Sequence, residues 1–124
     1  MKILATAPID KTATDILSSY GEIITAPDDH EATLIALAKD AEVIVVRGVA
    51  QITESVIDSA TKLKVIGRTG VGINNIDIDA ATARGIPVVY TPGANSRAVA
   101  EAAMAFILAL SKRIVYWDQQ TKTD

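Results

Sequence analysis

The chain has no cysteine, so neither a disulfide framework nor a cysteine-ligated zinc site is open to it. It has no excess of positive charge. Twelve lysines and arginines stand against 15 aspartates and glutamates, and the net charge of -3 speaks against a nucleic-acid surface, where a basic stripe is expected. No run reaches the roughly 18 apolar residues of a membrane span. The apolar start Met1–Ala5 is cut short by Pro8 and Asp10, too early for a signal peptide. The expectation is a cytoplasmic protein without a metal centre. Histidine is nearly absent too: the one present, His30, reads as an exposed residue in the first turn of a helix.

What the 124 residues do contain is enough apolar material, 49%, for the packed core of one domain. Lys2–Thr6 reads as a strand. Asp10 is a good N-cap for a helix over Lys11–Tyr20, with Ala13, Ile16, Leu17 and Tyr20 on one face and Gly21 as its stop. Glu22–Thr25 is a second strand, and Asp28 with Glu31 resembles a capping box for a helix running to about Lys39. Val43-Ile44-Val45-Val46 does not alternate, as expected of a strand buried on both faces of a parallel sheet, and it ends at Arg47-Gly48. Thr53 can cap a short helix, Leu63–Gly67 is a fourth strand, Asp77–Arg84 is helical with Gly85 as its stop, and Ile86–Tyr90 is a fifth strand entered at Pro87. Asp77 and Asp79 read as helix-start residues, and Arg84 and Lys112 as solvated helix charges. Five alternations of strand and helix predict a parallel α/β sheet in the flavodoxin-like order 2-1-3-4-5. A receiver domain shares that order, but it would want an acidic cluster where this chain has Thr6-Ala7-Pro8 and Arg47.

The fourth strand runs into Gly70-Val71-Gly72. A strand feeding a Gly-x-Gly turn and then a helix can collect several N–H groups at one point, a geometry that favours an anion. Arg68 sits before the turn, and Arg47 ends the neighbouring strand. The pattern is not a dinucleotide fingerprint: Asn75 stands where a third glycine is wanted, and Tyr90-Thr91-Pro92 where an acidic residue should hold a ribose. Two readings of the turn remain, a carboxylate or phosphate pocket built from Gly70–Gly72 and Arg47, or a plain turn using glycine for positive φ.

Beyond Thr91–Ser96 the rhythm changes. A helix is expected from about Arg97 to Trp117, and its nine residues Ala102–Leu110 contain no polar group. At ~30 Å it is longer than one five-stranded unit can cover. A helix apolar all round is buried on every side or packs on another chain, so the sequence reads as part of something larger.

Val46-Arg47-Gly48, Gly67–Asp77, Gly85-Ile86-Pro87-Val88, Thr91-Pro92, Asn95-Ser96 and Val99-Ala100-Glu101 together resemble the D-isomer-specific 2-hydroxyacid dehydrogenases, in particular their phosphoglycerate dehydrogenase branch. The resemblance implies a substrate-binding domain at 1–93. It also implies a hinge and long helix at 94–124, leading to a dinucleotide-binding domain that lies outside the sequence. It implies that Arg47, Gly48, Val71 and Gly72 face a small anionic 2-hydroxy or 2-keto acid, that Val71 borders the nicotinamide of NAD, and that Asn95 and Val99 lie at the hinge near substrate and cofactor. Arg68 and Gly70, from the reading of the turn, are counted with the substrate-binding residues. It also implies a homodimer packed through the 97–117 helix. The family's catalytic arginine, glutamate and histidine have no counterpart in this sequence, so no residue here is expected to be catalytic and the chain alone is expected to be inactive. A catalytically inactive, self-associating flavodoxin-like domain is the other reading the residues support.

Overall fold

A computed structural model describes residues 1–122. They form two compact units, the first ending at Pro92 and the second beginning at Gly93. The first holds β1 (Lys2–Ala5), α1 (Lys11–Ser18), β2 (Glu22–Thr25), α2 (Glu31–Ala38), β3 (Val43–Val46), α3 (Glu54–Ser59), β4 (Val65–Arg68), α4 (Ile78–Ala83) and β5 (Val88–Val89). All pairings are parallel and the order is β2-β1-β3-β4-β5, as the alternation predicted.

The helix starts follow the capping logic with one exception. Asp10 accepts from the Thr12 amide, Thr53 from Val56 and Asp77 from Ala80. The expected capping box at Asp28 does not form. Asp28 instead accepts from the His30 amide, and His30 occupies the N-cap of α2 without a side-chain bond to the helix. The reason is local competition: aspartate can fold back on the backbone two residues on, and that turn delays the helix. At Gly21 the constraint is close approach. A Cβ there would fall 2.0 Å from the Met1 carbonyl oxygen, and that carbonyl accepts from the Glu22 amide. β5 is shorter than the expected Ile86–Tyr90, since Pro87 has no N–H to extend the ladder backwards.

The two sheet faces differ. On one, Leu34 and Ala38 of α2, Val56 and Ile57 of α3 and Ala81 of α4 close over Leu4, Ile44, Val46 and Ile66. On the other, Ile3, Ala5 and Val45 gather only Ile9, Leu17, Ile23 and Val43 around them. No residue of α1 is fully buried, and Ile16 and Tyr20, expected on its inner face, are exposed. Around Gly67 of β4 that face is open, because an added Cβ would meet nothing within 4 Å.

The second unit holds α5 (Ser96–Ser111) and α6 (Ile114–Thr121). The single helix expected to Trp117 is therefore divided. Arg113 takes the left-handed conformation at φ 50°, a costly choice for a non-glycine residue. Its guanidinium stacks over the Tyr116 ring, 4.2 Å from the centroid. The β-branched pair Ile114-Val115 directly after it weakens helix continuation. Neither helix has a buried residue, and Phe106, Ile107 and Leu110 are exposed. Among the described residues, no helix is long and apolar enough to cross a membrane.

At the amino ends of the strands, Lys62 and Lys2 flank Asp40 at 2.6 and 3.4 Å, and Lys64 lies 2.6 Å from Glu42. The hydrogen bond from Lys62 lowers the pKa of Asp40, and that from Lys64 lowers Glu42. A depressed carboxylate adds stability that is complete above its ordinary value and lost as pH falls through the folded one. The Asp40→Asn, Glu42→Gln double variant should therefore be slightly less stable than the parent at pH 7. The gap should close below the ordinary values of 3.8 and 4.5 in an acid series of urea melts. A gap that persists at the acid end would show that the loss is not ionic.

Candidate functional site

The carboxyl ends of β1, β3 and β4 carry the loops that matter. Val46 pairs with Arg68, so Arg47 and the turn after Arg68 leave the sheet side by side. The Arg47 backbone is held from below by Thr6, which follows β1. The Thr6 hydroxyl accepts from the Arg47 amide at 3.0 Å and donates to the Arg47 carbonyl at 3.1 Å. Thr6 is buried. It had no signature in the sequence beyond a hydroxyl closing an apolar strand. The exposed Arg47 guanidinium donates through Nη1 to the Pro8 carbonyl, and Gly48 follows at φ 74°, a conformation that favours glycine.

Arg68 turns inward. Its Nε donates to the Gly72 carbonyl at 3.0 Å and its Nη1 to the Val46 carbonyl at 3.3 Å. The side chain thus spans its own turn and shapes it. Gly70 and Gly72 do not use positive φ, so the second reading of the turn loses its reason. Their lack of a side chain serves close approach. A Cβ at Gly70 would lie 3.4 Å from the Arg68 guanidinium carbon, and one at Gly72 would lie 3.2 Å from Asn74 Oδ1. Among the described residues, the N–H groups of Gly70, Val71, Gly72, Ile73 and Asn74 have no hydrogen-bond acceptor. Val71 and Gly72 are exposed. Free backbone amides in a turn are the kind of group from which anion sites are built.

Two clefts flank Arg47. One, of about 300 Å³, is lined by Thr6, Pro8, Asp28, Asp29, Arg47 and Gly48 among others. The second, of about 260 Å³, is lined by Ile9, Asp10, Ala13, Arg47 and Thr69. Neither is lined by Gly70, Val71 or Gly72, so Arg47 and the turn do not share one of these two clefts. Asp10 is held below its ordinary pKa by the Thr12 amide, and Asp28 by the Thr33 hydroxyl and the His30 amide. Both therefore keep their charge near the site. Asn95 and Val99 belong to the second unit. Asn95 is the N-cap of α5 without a side-chain cap bond, and Val99 is 58% exposed.

Other charged residues have structural partners. Arg84, expected as a solvated charge, donates to the carbonyls of Ile57 and Ala60, where it satisfies the end of α3. His30 is exposed, at the N-cap of α2. No group of three or more metal-ligating side chains gathers among the described residues. The Gly70–Gly72 turn does not fit a dinucleotide pyrophosphate. The third glycine position is the buried Asn75, and the Arg68 side chain fills the space over Gly70.

An open parallel sheet with its polar loops gathered at the strands' carboxyl ends belongs to the doubly wound class that handles small ligands there. The particular family follows from comparison. The chain belongs to the D-isomer specific 2-hydroxyacid dehydrogenases, whose catalytic-domain profile matches residues 3–122. It is 46% identical over 114 residues to D-3-phosphoglycerate dehydrogenase of Methanocaldococcus jannaschii, covering 92% of this chain and 22% of that protein. Among solved structures, NAD+-bound 3-phosphoglycerate dehydrogenase of Entamoeba histolytica superposes with TM-score 0.76 at 32% identity, covering 88% of this chain and 38% of that one. D-lactate dehydrogenase of Aquifex aeolicus, complexed with NAD and lactic acid, gives TM-score 0.81 at 26% identity, covering 99% and 37%. The chain spans between a fifth and about a third of the length of the curated relatives it matches.

Thr6→Val, close to isosteric, should leave the Arg47 amide and carbonyl without their partner and cost about 1 kcal/mol, the usual scale of a hydrogen bond whose partners are only partly buried. Urea melts should read that loss, and the Arg47 and Gly48 amide resonances should move. Unchanged resonances would mean that Thr6 does not position the arginine.

Proposed function

We propose that this chain is the substrate-binding part of an NAD-dependent D-2-hydroxyacid dehydrogenase of the phosphoglycerate dehydrogenase kind. The whole protein would move a hydride between the carbinol carbon of a D-2-hydroxy acid and a nicotinamide. The observation that carries this reading is the run of free amides from Gly70 to Asn74 beside Arg47. In it, the Val71 and Gly72 amides take the acid's carboxylate, Arg47 and Gly48 take its far end, and Arg68 holds the loop in shape. Asn95 joins the substrate contacts from the start of α5. Val71 and Val99 offer apolar contact to the nicotinamide, while the rest of the cofactor is held by residues other than this turn. The whole protein is a homodimer, supported by the exposed apolar side chains of α5, and it works in the cytoplasm.

Arg47→Ala should weaken binding of 3-phosphoglycerate or a simple D-2-hydroxy acid by about 1–3 kcal/mol, the scale of a charge-assisted hydrogen bond. An amide NMR titration checks this. Shifts should concentrate at Gly48, Gly70, Val71 and Gly72, with little change in thermal stability. Unfolding of the variant would make the arginine structural instead.

The same uncovered apolar helix favours a second reading, a self-associating domain without activity. The chain by itself should show no turnover with NADH and 2-keto acids, because no described residue is placed to move the hydroxyl proton. That result fits both readings. Ligand-induced shifts at the amide run separate them, and measurable turnover would overturn the account of the chain as a binding part only.

A further inference from the structure

Asn75 is the most buried polar side chain of the loop that carries the amides, at 8% exposure. Its Nδ2 donates to the Ala50 carbonyl at 2.7 Å, across 25 residues of chain. The backbone on either side repeats the connection. The Ile52 amide donates to the Asn75 carbonyl at 2.8 Å, the Asp77 amide to the Ile52 carbonyl at 2.8 Å, and Ile52 and Ile76 form an isolated parallel bridge. Ala50, Ile52 and Ile76 are themselves buried. Two loops leave the sheet at the paired residues Val46 and Arg68, and both are fastened again at Ala50–Ile52 and Asn75–Asp77. Arg47 and Gly48 lie within the first closed segment, and the five free amides within the second.

The choice of side chain is informative. An amide in this place is costly to bury, and its Oδ1 has no hydrogen-bond partner. A leucine, with the same number and branching of heavy atoms though somewhat bulkier, would carry no such penalty, so packing alone does not account for the residue. What the amide adds is one directed bond between the loops. We infer that Asn75 is a positioning residue for the anion site: its bond to Ala50 sets the separation between Arg47–Gly48 and the amides of Gly70–Asn74. The inference rests on the reading of those groups as the substrate clamp.

The test uses the whole chain with Asn75→Asp and Asn75→Leu, followed by amide NMR with and without D-glycerate, whose carboxylate stays ionised across the range used. In the ligand-free spectra at about pH 7.5, Asn75→Asp should move the amides of Gly48–Ala50 and Gly70–Asn74 together. It should also weaken D-glycerate binding by about tenfold, the scale of one lost hydrogen bond. Burial raises the introduced carboxyl's pKa, so lowering the pH toward about 5.5 should protonate it. The acid can then donate to Ala50 as the amide did, and affinity should return. Asn75→Leu should not recover at any pH. The nearby acids Glu31, Glu54 and Asp77 are common to all the proteins, so the unsubstituted chain controls for them. If Asn75→Asp does not fold, Asn75→Leu supplies the loop shifts and the loss of affinity. Unmoved loops, or unchanged affinity at pH 7.5, overturn the positioning role while leaving the clamp standing. Absence of D-glycerate binding by the unsubstituted chain overturns the clamp, and the positioning role with it.

Discussion

The carbonyl of Val46 is the point on which the rest of this arrangement depends. It accepts from the Thr69 amide at 3.1 Å, from the Thr69 hydroxyl at 3.3 Å and from Arg68 Nη1 at 3.3 Å. A carbonyl has two lone pairs, so three donors share it. The last residue of β3 thereby fixes the first residues of the turn after β4. One residue later, Thr6 grips both backbone groups of Arg47. The strand ends are thus locked laterally before either loop begins, and the loops inherit that rigidity. Such support below a binding group is what reduces the ordering cost when a ligand arrives.

The two arginines divide the work that their spacing in the sequence left undivided. Both read as pocket cations, and both lie near the same strand ends. Arg68 spends its donors on carbonyls of its own loop and of β3. Arg47 keeps most of its guanidinium at the surface, between two clefts. The difference follows from geometry. Arg68 is still in the strand, in register with Val46, where backbone acceptors are close. Arg47 is one residue past its strand, where they are few.

Much of this was legible from local pattern. The unbroken run Val43–Val46, the strand-helix alternation, and the caps Asp10, Thr53 and Asp77 are signals carried by neighbouring residues, and each appears where the pattern put it. What escaped was non-local. The bonds of Thr6 to Arg47 and of Asn75 to Ala50 cross 41 and 25 positions, and no periodicity announces them. Arg84 looked like a surface charge because its acceptors, Ile57 and Ala60, lie on another helix. The break at Arg113 escaped for a different reason. Left-handed residues are expected to be glycine, and here an arginine takes the conformation with its charge laid on Tyr116.

The position of the ion pairs has a bearing on how a ligand finds the site. The lysines of the amino-terminal strand ends are matched to Asp40 and Glu42 there. At the opposite end, Asp10, Asp28 and Asp29 stand around Arg47, on a chain whose net charge is -3. On this chain, an anion reaching these loops would meet mixed charge rather than a broad positive field. On the proposed reading, recognition falls to the amides and the guanidinium, which act over a few ångströms. Added salt, which slows association at strongly basic sites by screening attraction, has little attraction to screen here.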